Sequence, residues 1–152
     1  MTLHLSSVVS AFVLSGGHKM RLYIADDNAD FAEFCSEVAI LEGWSVTICQ
    51  NGVELLAKVR EERGPALLLV DIQMPVMDGI EVIQSLNKID RDLRIRFITG
   101  GPSASAHAAQ LIAGARALNV GEVLSKPLSL QDLRGVLKTE IEDQNGIFAK
   151  AS

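Results

Sequence analysis

The chain has 152 residues, 48% of them apolar and 22% charged, with a net charge of −5 and a pI near 5.1. That length and balance suit one globular domain with a real core and argue against a chain disordered throughout. An acidic chain without a basic run also argues against a nucleic-acid surface built from pooled Lys and Arg.

Residues 1–19 form an expected N-terminal extension, disordered or non-native, with Met20 opening the domain at residues 20–144. The apolar run Val8 to Leu14 is far short of the roughly 20 residues that span a bilayer. It also lacks the Lys or Arg that precedes a secretory apolar stretch. No membrane association is expected. Cys35 and Cys49 have neither the number nor the spacing of a disulfide framework or zinc site, and they read as reduced thiols of a cytoplasmic protein. His4, His18 and His107 are scattered without metal-ligand spacing.

From Met20 onward, short apolar runs alternate with helical patterns. Arg21 to Ala25 reads as a strand ending at Asp26-Asp27, and Asp30 to Glu42 as a helix with Phe31, Phe34, Cys35, Val38 and Leu41 on one face. Trp44 to Cys49 alternates as a strand. Asn51-Gly52 opens a helix carrying Val53, Leu56 and Val59, stopped by Gly64-Pro65. Ala66 to Val70 is an almost unbroken apolar run, as in a strand covered on both faces, and it ends at Asp71.

Helical spacing returns from Gly79 to Ile89. Arg94 to Thr99 is a strand ending at Thr99-Gly100, and Ser103 to Leu118 is an Ala-rich helix. Val120 to Ser125 is the last strand, ending at Lys126-Pro127. Ser129 with Asp132 resembles a capping box for a final helix through Leu130, Leu133, Leu137 and Ile141, ended by Asn145-Gly146 and a tail at 145–152. Five strand–helix units in series predict an α/β doubly wound parallel sheet, whose function gathers at the carboxyl ends of the strands.

Those ends carry Asp26, Asp27, Asp71, Thr99 and Lys126. Each alone is an ordinary turn or capping residue. Together at one sheet edge they imply a shared task. Three carboxylates at about 4 Å repel by roughly 4 kcal/mol per pair at an effective dielectric near 20, so a cation is needed. Hard oxygen ligands left partly open to water suit Mg²⁺. Lys126 and the Thr99 hydroxyl then suit the remaining oxygens of a phosphoryl group.

The segment from Asp71 through Met74-Pro75, Met77, Asp78 and Gly79 resembles the D-x-x-M-P-x-M-D-G signature of response-regulator receivers, single-domain chemotaxis-type receivers included. With Asp26-Asp27, Thr99 and Lys126-Pro127 in order, the likeness covers Met20 to about Gln144. It implies a flavodoxin-like five-stranded (βα)5 sheet of order 2-1-3-4-5. It further implies that Asp71 accepts a phosphoryl group from a sensor histidine kinase or phosphotransfer protein. Asp26, Asp27, Asp71 and the Gln73 backbone carbonyl would hold Mg²⁺, Asp26 mostly through water. Thr99 and Lys126 would contact the phosphoryl oxygens, Gly100 would leave room for them, and the Lys126-Pro127 peptide would be cis. Self-dephosphorylation would be the only catalysis beyond accepting the group. Output would pass through the face of the fourth helix, fifth strand and fifth helix to a downstream protein or a missing output domain, with homodimerisation left open.

Two features depart from the family. The position three before the lysine usually carries Tyr or Phe and here is Val123, so switching by an aromatic rotamer is not expected. The stretch from Thr99 to Lys126 is long, with a weaker likeness to receivers of cyclic-di-GMP phosphodiesterase regulators. The rival readings are a pseudo-receiver that binds a partner without phosphorylation and an Asp- and Mg²⁺-dependent phosphohydrolase. The second would need another acid where Gln73 stands.

Overall fold

A computed structural model describes residues 19–74, 76–77, 79–100 and 118–151. The expected extension up to residue 18, Pro75, Asp78, and the helix expected from Ser103 (apart from Leu118) lie outside the described residues. In chain order the elements are β1 (Met20–Ala25), α1 (Ala29–Leu41), β2 (Trp44–Cys49), α2 (Gly52–Arg60) and β3 (Ala66–Asp71). Then come α3 (Gly79–Leu86), β4 (Leu93–Thr99), β5 (Asn119–Val120), β6 (Leu124–Ser125) and α4 (Leu130–Ala151).

All strand pairs are parallel, in the order β2-β1-β3-β4-β5, with β6 also pairing with β4. This is the expected flavodoxin-like order. Parallel strands need crossovers, and the helices that supply them cover both faces. β3 is accordingly buried at every position. Along β1 and β3 the side chains alternate between two cores. Tyr23, Leu68 and Val70 pack with Leu55, Val59 and Ile83 of α2 and α3. Leu22, Ile24, Leu67 and Leu69 pack with Cys35 and Val38 of α1 and Leu133 and Leu137 of α4.

The structure changes several details. The buried residues of α1 are Ala32, Cys35, Val38 and Ala39, while Leu41 is 74% exposed. Small side chains let this helix approach the sheet closely. On α2 the buried residues are Gly52, Leu55, Leu56 and Val59, and Val53 is exposed. Asn51 caps α2 by accepting from the Glu54 amide at 2.8 Å. Ser129 caps α4 as expected, its hydroxyl accepting from the Asp132 amide at 3.0 Å. The helix then runs through Asn145-Gly146 to Ala151 instead of ending there. The cost of about 1 kcal/mol for a helical glycine is small against the helix formers around it.

The expected fifth strand is split into β5 and β6, with Gly121–Val123 between them. Beside this break, on the face covered by α4, β4 presents Arg94 and Arg96. Both Nε atoms pair with the fully buried Glu140 carboxylate of α4, Arg96 at 2.7 Å. Arg94 also donates to Asn119 Oδ1 at 2.7 Å, and Arg96 faces the Glu122 carbonyl at 3.4 Å. A Cβ at Gly121 would lie 2.9 Å from Arg94 Nη2 and 3.0 Å from Arg96 Nε, so the chain passes closely over this pair at a residue without a side chain.

Candidate functional site

Register alone brings the predicted residues together. Ala25 lies opposite Val70, so the residues that follow them, Asp26 and Asp71, emerge side by side. Asp71 is level with Ile98, and Thr99 is level with Ser125, directly before Lys126. The Asp26 amide donates to the Cys49 carbonyl at 3.1 Å, holding the end of β1 against β2.

Asn28, rather than either preceding aspartate, caps α1 by accepting from the Phe31 amide at 3.1 Å. This frees Asp26 and Asp27 from capping. Asp26 Oδ1 accepts from the Asn28 amide at 2.9 Å, and its other oxygen turns inward. Asp26 and Asp71 are buried and Asp27 is exposed. One carboxylate oxygen from each of the three lies within 4.8 Å of the other two.

Lys126 crosses this cluster. Its Nζ is 3.0 Å from Asp26 Oδ2 and 3.3 Å from Asp71 Oδ2, and it sits 4.6 Å from the centre of the Phe31 ring. Phe31, which the sequence offered only as a helix-face residue, thus lends a cation–π contact. Burial pushes the Asp71 carboxyl up from its ordinary value, opposed by the Gln73 amide that donates to Oδ1 at 3.0 Å and assisted by Asp26. Burial works hardest against the Lys126 charge, yet the carboxylates of Asp26 and Asp71 outweigh it and hold the ammonium above its ordinary value.

One ammonium against three carboxylates leaves the cluster short of positive charge. Asp26 Oδ2 is buried and, apart from its ionic contact with Lys126, has no well-aligned hydrogen-bond donor among the described residues. The donor set, all oxygen and open to water at Asp27, fits a hard divalent cation.

The remaining predicted residues fall around this centre. Thr99 is buried at the end of β4, and its carbonyl accepts from the Lys126 amide at 2.9 Å. Gly100 is exposed, and a Cβ there would lie 3.7 Å from Lys126 Cδ, an ordinary contact. The Lys126-Pro127 peptide is cis, as expected. Val123 is half-buried against the core under α2 and α3. Met74 and Met77 pack into that core as well. Between them Val76 is 77% exposed and adopts φ = 74°, a conformation that β-branched side chains resist.

A family model described as the response regulator receiver domain matches residues 22–138. The response regulator receiver protein CpdR of Brucella abortus is 39% identical over 113 residues, 74% of this chain and 89% of CpdR. The response regulator MprA of Mycobacterium avium is 35% identical over 114 residues, 75% of this chain but 47% of MprA. The chain therefore spans about half the length of that relative. Among solved structures, a CheY-like response regulator receiver domain protein from Methanospirillum hungatei matches with a TM-score of 0.72. Its identity is 24%, covering 85% of this chain and 98% of that one, a likeness of fold.

Proposed function

Because this chain belongs to the response regulator receiver family, we propose that it is a phosphorylation-dependent switch in which Asp71 accepts the phosphoryl group. The observation that carries this reading is the convergence of Asp26, Asp27 and Asp71 around one point, with Lys126 bridging two of them.

In the proposed reaction an Asp71 carboxylate oxygen attacks the phosphorus of a phosphohistidine on a histidine kinase or phosphotransfer protein. A P–O bond forms, the P–N bond breaks, and the imidazole leaves. Asp26, Asp27, Asp71 and the Gln73 carbonyl are the groups assigned to Mg²⁺. When bound, Mg²⁺ would offset the clustered negative charge and that of the phosphoryl oxygens. Lys126 exchanges its long contact with Asp71 Oδ2 for a phosphoryl oxygen, and the Thr99 hydroxyl takes another. Gly100 leaves the approach open. Phe31 and Asp26 keep the ammonium nearby in the resting state.

Partners follow from the chemistry: a phosphodonor protein, and a downstream protein or output domain that reads the state. The two buried free thiols are in keeping with a cytoplasmic location. No helix among the described residues is long and apolar enough to cross a membrane.

Intact-protein mass spectrometry after exposure to a small-molecule phosphodonor tests the reading. A Mg²⁺-dependent phosphoryl adduct is expected in the parent and absent in Asp71→Asn. A parent that takes no adduct under conditions labelling another receiver would leave a module that binds without phosphorylation.

A further inference from the structure

The opposite end of the sheet carries a separate charged feature. Arg60 closes α2 and Arg63 follows it, while Lys88 and Arg91 lie between α3 and β4. With Glu62, Ile89 and Asp90 they line a cavity of about 340 Å³.

Arg91 is its fixed wall. Its Nε donates to the Gly64 carbonyl at 2.9 Å, and its Nη1 donates to the Val59 carbonyl at 2.8 Å and the Tyr23 hydroxyl at 3.1 Å. The guanidinium also sits 5.6 Å from the centre of the Tyr23 ring. Every one of these acceptors is uncharged. Of the two acids in the lining, Glu62 is already engaged by Arg21 at 3.1 Å and by the Tyr23 hydroxyl at 3.1 Å.

Among the described residues, Arg60, Arg63, Lys88 and Arg91 form no ion pair. Four cations thus line one concavity with Asp90 and the already paired Glu62, on a chain whose net charge is −5. The macrodipole at the end of α2 accounts for Arg60. It does not account for Arg63, Lys88 and Arg91, which come from two loops. Like charges around a concavity repel one another and focus a positive potential into it.

We propose that this cavity is an anion site for a small ligand bearing a phosphate or pyrophosphate group. Guanidinium forks pair with phosphate oxygens two at a time. Arg91 has committed all but one of its N–H groups to the Gly64, Val59 and Arg63 carbonyls and the Tyr23 hydroxyl, so its part is a fixed positive charge in the wall. Arg60, Arg63 and Lys88 are exposed arms that can turn onto the same group. The cavity lies at the amino ends of β3 and β4, roughly 20 Å along the strands from Asp71 and Thr99. It is independent of the phosphoacceptor reading.

The test uses the whole chain carrying Asp71→Asn, without Mg²⁺, titrated with inorganic pyrophosphate at ionic strength held constant with NaCl. The readout is the backbone amide NMR spectrum. Saturable shifts at residues 60–64 and 88–91 are expected. Arg63→Glu with Lys88→Glu, both on exposed positions, should weaken binding about tenfold or more while the thermal midpoint is retained. Shifts that never saturate, that centre on Asp26 and Lys126, or that survive the double variant unchanged would overturn the proposal. A nucleoside diphosphate and a phosphoserine peptide, run in parallel, assign the source. Tighter binding of either than of pyrophosphate supports the site and names its ligand as a free nucleotide or a modified protein segment.

Discussion

Glu140→Gln removes one charge from the interior and almost no volume. The Glu140 side chain is 0% exposed, and it faces Arg96 at 9% and Arg94 at 21%. Taking one partner from a buried ionic group costs about 3–5 kcal/mol, because the charges left behind stay desolvated without compensation. Arg94 reaches water and keeps Asn119, and Arg96 keeps its contact with the Glu122 carbonyl, so the low end applies. We expect a loss of about 3 kcal/mol, visible as a lower urea midpoint at an unchanged slope. For a chain of this size that is a fall in melting temperature of about 6–12 °C. Replacing all three by apolar residues of similar volume should recover much of the loss, since burying the charges is itself costly. A change below about 0.5 kcal/mol for Glu140→Gln would mean that the group behaves as a solvated surface pair, refuting the buried clamp.

Val76→Asn should raise stability by about 1 kcal/mol, because Asn tolerates positive φ and the exposed valine gives up little packing. A lower urea midpoint would contradict strain at that residue. Lys126→Met should cost about 2 kcal/mol by stranding the buried Asp26 carboxylate, and added Mg²⁺ should restore part of it in a thermal melt. A midpoint insensitive to Mg²⁺ would count against a cation at the cluster. Burial, with help from Glu54, pushes the Cys49 thiol up to about 12. Its contribution to stability is then fully present below pH about 9 and is lost as pH rises towards 12. Alkylation at pH 8 should label both cysteines only after unfolding, and rapid labelling of the folded chain would show that they are not buried.

The site was legible in the sequence because its residues stand at strand ends. An apolar run such as Ala66–Val70 fixes where a parallel strand stops, and Asp71 must then emerge at the carboxyl edge. The same logic placed Asp26, Thr99 and Lys126. What escaped depends on contacts between distant segments. Arg94 and Arg96 alternate with Ile95 and Phe97 and so read as the wet side of a half-buried strand. Their counter-charge, Glu140, lies more than forty residues away on a helix. The split of the last strand lies beside those arginines and was hidden with them. In Asp26-Asp27-Asn28, three residues were each able to cap α1, and only the backbone geometry selects Asn28. Phe31 carried a helical-face signal, while its stacking against Lys126 required the fold.

The split strand also divides the site by how firmly its halves are held. Asp71 ends a central strand paired along five positions on one side and six on the other. Lys126 follows a segment that joins the sheet through two. Local opening of the peripheral segment therefore requires breaking far fewer contacts than disturbing the centre. Asp71 is thus expected on the part of the molecule that exchanges its amide hydrogens last, and Lys126 on a part that exchanges early. Withdrawing the ammonium would cost those few edge hydrogen bonds together with its contacts to Asp26, Asp71 and Phe31, and would leave both cores closed.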